Sequence, residues 1–124
     1  MRALSAYDDA GSLTLDGEQA LEELYARLAR WCDDIVNYQH AGQISERDGL
    51  VERSITLLDC IDRLIDVSAS YEITSRILVL HRFAVRTLVR AKAESDESVL
   101  EGLADLFINL GEIFALMRSI RAAN

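Results

Sequence analysis

The sequence predicts an all-α protein, an antiparallel up-down four-helix bundle preceded by a loose N-terminal arm. The 124 residues include no proline, the residue that most often breaks helices. Apolar residues recur at spacings of three and four in four long segments, which is typical of amphipathic helices. The links between these segments are short and polar, which favours antiparallel neighbours. The predicted domains are an arm, residues 1–15, and a bundle, residues 16–124.

The first predicted helix begins near Asp16, whose carboxylate can cap it while Gln19 reaches back from the first turn. Gly42 is expected to end the helix. Cys32 lies in this helix and Cys60 in the next. Two cysteines so far apart in sequence predict buried free thiols in a reducing compartment, not a disulfide framework or a zinc site. The inward stripe consists of Leu21, Leu24, Leu28, Trp31, Ile35 and Tyr38.

The second and third predicted helices carry more apolar surface than a corner of a small bundle can bury. Helix two starts at Ser45 and Asp48 and runs to about Ala69; helix three follows a break near residues 70–72 and ends at about Ala93. Each has a second apolar column about a quarter turn from the first. The second columns are Val51, Leu58 and Ile65 in helix two and Leu78, Val85 and Val89 in helix three. A helix covered on all sides, self-association, or a groove for another polypeptide each accounts for this surplus.

Helix four is predicted after Ser95 and Asp96, which are both capping candidates. Gly102 and Gly111 lie inside the helix, where each costs about 1 kcal/mol relative to alanine. We therefore expect close helix packing at Gly111, with a docking surface for another chain as the alternative. An unbroken seven-residue apolar repeat comprises Val99, Leu103, Leu106, Leu110, Ile113, Met117 and Ile120.

Three arginines, Arg82, Arg86 and Arg90, share one face of helix three. Either they form a solvated face paired with the chain's own carboxylates, or they form a basic rail that aligns an acidic partner segment. The net charge of −8 predicts no binding to nucleic acid or to anionic membrane surfaces.

The sequence also lacks the motifs of secreted, membrane-spanning and catalytic proteins. The N-terminus lacks the apolar core of a signal peptide, and no stretch approaches about 18 apolar residues, so we expect a cytoplasmic protein. The two histidines, His40 and His81, lie in no Glu-x-x-His pattern, and the sequence has no phosphate loop or hydrolase motif. We expect no catalytic residue, no metal and no cofactor, and therefore no enzyme.

Two sets of residues follow, in order and spacing, the sequence pattern of one protein family. Tyr7, Thr14, Glu18 and the Leu24–Tyr25 pair follow the order and spacing of the family's N-terminal half. Tyr71-Glu72-Ile73 then stands at a junction typical of the family. It is followed in register by Leu80, Phe83, Val85, Arg86, Leu88 and Ala91. On these residues, from about 7 to 117, the sequence resembles the flagellar export chaperones that bind flagellin. The chain departs from the family pattern at Asp8-Asp9, Asp16-Gly17, Ala26 and Lys92.

The resemblance implies a helical bundle that holds the disordered C-terminal segment of flagellin in an apolar groove before export and prevents premature polymerisation. It also implies that Tyr7, on the N-terminal arm, covers part of the groove when no client is bound. The expected partners are flagellin and a co-chaperone or export-gate component, and the chain is a monomer or weak homodimer. The alternative is a self-associating adaptor or structural bundle without flagellin as client. The expected groove residues are Val51, Leu58, Ile65, Leu78, Arg82, Val85, Arg86 and Val89.

Overall fold

Four helices make up the computed structural model, which describes residues 17–68 and 71–123. They are α1 (Gly17–His40), α2 (Ile44–Ser68), α3 (Tyr71–Glu94) and α4 (Glu97–Ala123), and no strand occurs among the described residues. The predicted all-α fold is confirmed. The expected arm, its Tyr7 and the capping residue Asp16 lie outside the described residues.

The helices pack as an up-down bundle in which each helix has two neighbours. Helix α1 contacts α2 and α4, and α3 contacts the same two helices, so α1 and α3 lie on one diagonal and α2 and α4 on the other. The α1–α4 pair has the most extensive packing, and the α3–α4 pair has the least. This asymmetry leaves the α3–α4 side of the bundle the most thinly covered.

Both apolar columns of α2 belong to the core. Val51 and Ile65 are fully buried, and Leu58 is nearly so. These three residues therefore line no open groove in this structure, and their client-binding role stays a prediction. The physical reason for their burial is that α1 covers one flank of α2 and α3 covers the other, so a helix with two neighbours can bury a wide apolar arc.

A glycine ends α1, as predicted. Gly42 has a φ of 73°, in the left-handed region that glycine adopts without steric cost. The Gln43 N–H donates to the Tyr38 carbonyl at 2.9 Å, and the Gly42 N–H donates to the Gln39 carbonyl at 3.1 Å. This pair of bonds is the Schellman motif, which satisfies carbonyls at the end of a helix.

Helix α2 begins one residue before its predicted start. Its first residue is Ile44, and the Gln43 carbonyl accepts the first intrahelical bond from the Arg47 N–H at 3.0 Å. Ser45 and Asp48, expected to mark the N-terminus, thus lie within the first two turns. The Asp48 carboxylate accepts hydrogen bonds from the Arg47 side chain.

The short link between α3 and α4 uses two different caps. Ser95 has a φ of 55°, and its N–H donates to the Ala91 carbonyl at 3.2 Å, so it terminates α3 in the left-handed conformation. Asp96 is the N-cap of α4 and accepts hydrogen bonds from the Ser98 backbone N–H and hydroxyl at 3.1 and 2.8 Å. These bonds hold the pKa of Asp96 below its usual value. The capping role predicted for Asp96 is confirmed.

The seven-residue repeat of α4 is mostly buried at its start and becomes exposed towards the end of the helix. Leu103 and Leu110 are buried, but Ile113 and Ile120 are about half exposed. A strict heptad row drifts by about 20° per repeat around a straight helix, so three repeats carry it well away from the core. The core row of α4 is instead Leu100, Leu103, Phe107, Leu110 and Phe114.

Candidate functional site

One end of the bundle is held by a buried arginine. Arg47 is only 3% exposed, and its Nε and Nη2 atoms donate to Asp48 Oδ1 at 3.1 and 3.0 Å. Its Nη1 donates to Gln39 Oε1 at 3.2 Å and Ser95 Oγ at 3.0 Å, and its Nη2 also donates to the Lys92 carbonyl at 2.9 Å. We call these five residues the Arg47 clamp. It joins the end of α1 and the start of α2 to the α3–α4 link.

Further contacts reinforce the clamp end. Gln39 Nε2 donates to the Ser95 carbonyl at 2.9 Å, and Lys92 Nζ donates to Glu52 Oε1 at 2.7 Å. His40 Nε2 also contacts the Glu97 carboxylate, between the end of α1 and the start of α4. All four helices are therefore tied together by polar contacts at this end.

The middle of the bundle contains a buried polar network across the α1–α3 diagonal. The Tyr25 hydroxyl lies 2.7 Å from His81 Nε2, and His81 Nδ1 contacts the Asp62 carboxylate on α2. Tyr25 and His81 are essentially inaccessible to solvent. Burial, followed by the charge of Asp62, raises the pKa of Tyr25 above its ordinary value.

This network joins three helices. Because the Tyr25 hydroxyl is buried, a substrate cannot reach it. The Tyr25 ring also stacks near Phe114 and Phe107, with ring centroids 5.9 and 6.5 Å away. The His81 ring thus links α1, α2 and α3, while Tyr25 extends the contact to α4. The sequence did not reveal this network, because its three polar residues lie far apart in the chain.

From the middle of the bundle to the end opposite the clamp, α3 and α4 expose large apolar side chains. These residues lie in the first half of α3 and the second half of α4, which adjoin because the helices are antiparallel. On a 100° wheel, most of them occupy the edges where α3 and α4 face each other. We call this set the α3–α4 patch: Ile73, Leu80, Ile113, Leu116 and Ile120.

Weak packing between α3 and α4 accounts for the exposure of the patch. These helices make the least extensive contact of the four neighbouring pairs, and their link is held at the clamp end. Near the patch, the Arg118 guanidinium forms a two-bond ion pair with Glu22, at 2.6 and 3.0 Å, which joins α4 to α1. That pair reinforces the side of α4 opposite α3 and leaves the patch uncovered.

The predicted groove residues on α3 have mixed positions. Leu78 and Val85 are half-buried on the flank that faces α2, whereas Val89 is exposed. Arg82 and Arg86 are exposed, and neither forms an ion pair within the described chain. The structure thus brings no open groove to the second column of α3, and a client-binding role for these five residues stays a prediction.

The third arginine of the row behaves differently. Arg90 pairs with Glu94 on its own helix at 3.2 Å, and Arg76 pairs with Glu72 at 3.3 Å. Near both ends of α3, arginines therefore form ion pairs with glutamates of the same helix. At the centre of its outer face, Arg82 and Arg86 form no such pair within the described chain. Two large apolar residues, Val79 and Phe83, are exposed on that same outer face.

The close packing expected at Gly111 is present. A Cβ atom at this position would lie 3.4 Å from Tyr25 Cβ and 3.7 Å from the Glu22 carbonyl oxygen. Beside it, α1 and α4 form a shallow groove of about 230 Å³ lined by small and apolar residues and two glutamates. Helix packing thus accounts for Gly111.

Both cysteines are buried and unpaired, as predicted. Burial raises the pKa of the Cys32 thiol to about 12, and it also raises that of Cys60. A thiol in this state is a poor nucleophile, because the thiolate is the reactive form. Within the described ranges, no three or more His, Cys, Asp or Glu side chains are placed to hold a metal ion.

Helix length and apolarity exclude a membrane crossing by any helix in residues 17–68 and 71–123. Comparisons with protein-family models, with curated proteins and with solved structures found no match to the chain.

Proposed function

We infer that the protein is a non-enzymatic cytoplasmic chaperone that binds the disordered C-terminal segment of flagellin and keeps it from polymerising before export. The observation that carries this proposal is the α3–α4 patch on a bundle whose other end is firmly held. The resemblance of residues 7–117 to flagellar export chaperones supplies the identity of the client.

The patch suits a polypeptide better than a small molecule. It is an extended strip along two helices, whereas small-molecule sites are concave and enclose most of their ligand. Five large aliphatic side chains lie there, and exposed apolar patches of this kind mark interaction sites. A disordered segment that folds on binding needs such a long apolar surface to offset its ordering entropy.

The bundle is held together by contacts outside the patch, so its folding does not require the client. The core of the bundle, the Tyr25–His81–Asp62 network and the Arg47 clamp are complete in the described chain. The patch residues can therefore be exposed before binding without loss of the fold. A chaperone that releases its client at an export gate requires this independence.

Titration calorimetry with the C-terminal segment of flagellin from the same genome tests the proposal. We expect one-to-one binding with a negative heat-capacity change, because apolar surface is buried on both partners. A segment of equal length and composition in shuffled order is the control. Equal binding of both segments, or no binding by the folded protein, would remove flagellin as the client.

A self-associating adaptor is the second candidate, and the same patch favours it. Two copies joined through the patch would form a homodimer at micromolar concentration. Light scattering separates the two candidates, because the chaperone is expected to be monomeric or a weak dimer that the flagellin segment dissociates. A stable dimer that excludes the segment would establish the adaptor instead.

A further inference from the structure

The outer face of α3 differs from every other helix surface in its charge. Helix α3 carries five basic and two acidic side chains, a balance of +3, in a chain of net charge −8. Counted in the same way, α1 has a balance of −3, α2 of −3 and α4 of −2. One positive helix in an acidic bundle creates a local field opposite in sign to that of the whole molecule.

That positive face also contains exposed apolar side chains. Val79 and Phe83 are 59% and 51% exposed, and Arg82 and Arg86 lie between and beside them on the same outer face. The spacing is i, i+3, i+4 and i+7, which aligns these four residues along about 10 Å of helix. We call them the α3 stripe. Leu80 connects the stripe to the α3–α4 patch.

The arginines of the stripe are not used by the fold. At the ends of α3, Arg76 and Arg90 form ion pairs with Glu72 and Glu94. Arg82 and Arg86 have no carboxylate partner in the described chain, although acidic residues outnumber basic ones in the protein by 21 to 13. Their charges are therefore available to a partner.

We propose that the α3 stripe binds an acidic amphipathic helix of the client, with Arg82 and Arg86 paired to carboxylates of that helix and Val79 and Phe83 against its apolar face. This inference rests on the proposed function and specifies the chemistry of the segment that α3 accepts. A helical partner matches the periodicity of the stripe, as in helix-in-groove recognition. Paired charges across the contact fix the register and orientation of the segment.

A second copy of this chain fits the stripe less well. The acidic helix α1 exposes no large apolar side chain among its described residues, and α2 exposes only Ile44 at its start. Of the three acidic helices, only α4 exposes both carboxylates and large apolar side chains in its described residues, so a second copy would have to dock through that one helix. An anionic membrane also fits poorly, because a flat surface would meet the acidic helices that flank α3.

Two designed peptides test the proposal by fluorescence anisotropy. They share one apolar helical face of leucine and alanine, and the flanking positions are glutamate in one and lysine in the other. The net charge of −8 by itself would favour the lysine peptide. We expect the opposite: the glutamate peptide binds about tenfold more tightly at low salt, and the preference fades at high salt.

The variant Arg82→Glu/Arg86→Glu should reverse the preference, and Arg82→Gln/Arg86→Gln should abolish it. The matched control, Arg30→Glu/Arg53→Glu, changes the net charge by the same amount on α1 and α2 and should leave the preference within about twofold. Both control residues are exposed. Circular dichroism verifies that each variant is folded.

Each alternative outcome is distinguishable from failure of the proposed function. Flagellin binding that Arg82→Glu/Arg86→Glu does not weaken, with no preference for the glutamate peptide, overturns the inference and keeps the chaperone. A retained preference without any flagellin binding supports the acidic-helix site and removes flagellin as its source. Binding to vesicles of anionic lipid, or a homodimer that Arg82→Glu/Arg86→Glu dissociates, overturns the inference in favour of a membrane or a second copy.

Discussion

The two ends of the bundle differ in how their helices are joined and in what they expose to solvent. At the clamp end, Arg47 is buried and makes five hydrogen bonds, three of which reach Gln39 on α1, Lys92 on α3 and Ser95 in the α3–α4 link. At the patch end, large aliphatic side chains remain exposed on α3 and α4. A bundle with one firmly held end can leave apolar surface open at the other and still keep its fold. Polar contacts at the clamp end thus hold the helices together while apolar side chains far from them stay exposed.

Removing the clamp should strongly destabilise the bundle. Arg47→Ala leaves the Asp48 carboxylate, the Gln39 carbonyl group and the Lys92 backbone carbonyl without their donor, so we expect a loss of about 3 kcal/mol in the free energy of unfolding. Chemical denaturation measures it. Arg53→Ala, which removes an exposed arginine from the same helix, is the control and should change stability by less than about 0.5 kcal/mol. Equal losses in both variants would show that the clamp is not the structural anchor.

Alkaline pH should weaken the middle of the bundle. The pKa values of Cys32 and Tyr25 are raised in the folded protein, so both groups stay protonated there after their unfolded counterparts ionise near pH 8.5 and 10. Their contribution to stability is complete below those values and falls as pH rises, by about 1.4 kcal/mol per pH unit for each group. Denaturation between pH 8 and 11 measures the slope. Tyr25→Phe should reduce the slope above pH 10, and an unchanged slope would contradict the assignment to Tyr25.

A glycine in α4 offers a smaller, stabilising change. Gly102 is exposed and a Cβ there would meet nothing within 4 Å, so Gly102→Ala should raise the free energy of unfolding by up to about 1 kcal/mol. The matched variant Gly111→Ala places its Cβ 3.4 Å from Tyr25 Cβ and should gain less or lose stability. Thermal unfolding compares the two. A larger gain at Gly111 would mean that the α1–α4 packing is looser than described.

Polar substitutions in the patch should have the smallest effect on stability. Leu116 is 61% exposed, and Ile120 is also mostly exposed. Leu116→Gln and Ile120→Gln should each change the free energy of unfolding by less than about 0.5 kcal/mol, because little burial is lost. The buried Phe114→Ala on the same helix should cost about 3–5 kcal/mol. Similar losses at all three positions would mean that the patch is part of the core.

The sequence was sufficient for the helices but not for the surface between them. Periodicity located four helices, and local signals such as Gly42 and Asp96 identified their ends. Which apolar columns are buried depends on how many neighbours a helix has, so the burial of Val51, Leu58 and Ile65 did not follow from the sequence. The patch was missed because the heptad row of α4 looked like core, whereas its drift carries Ile113 and Ile120 outward.

The buried polar contacts were beyond sequence reasoning for a different reason. Tyr25, Asp62 and His81 meet only after three helices pack, and no spacing in the chain relates them. Arg47 likewise looks like an ordinary surface residue near the start of a helix. By contrast, the row of Arg82, Arg86 and Arg90 was visible in the sequence, but only the structure distinguishes the self-paired Arg90 from the other two.

The central claim, that the patch end seats the flagellin segment, is tested most directly by one paired calorimetric titration. The variant Leu80→Gln/Ile113→Gln alters the patch, and Ile44→Gln/Ile108→Gln alters two exposed apolar residues outside it. We predict that the first variant weakens binding of the flagellin C-terminal segment about tenfold or more, while the second stays within about twofold of the wild-type protein. Equal affinities of both variants and the wild-type protein would contradict the claim and place the client elsewhere on the bundle.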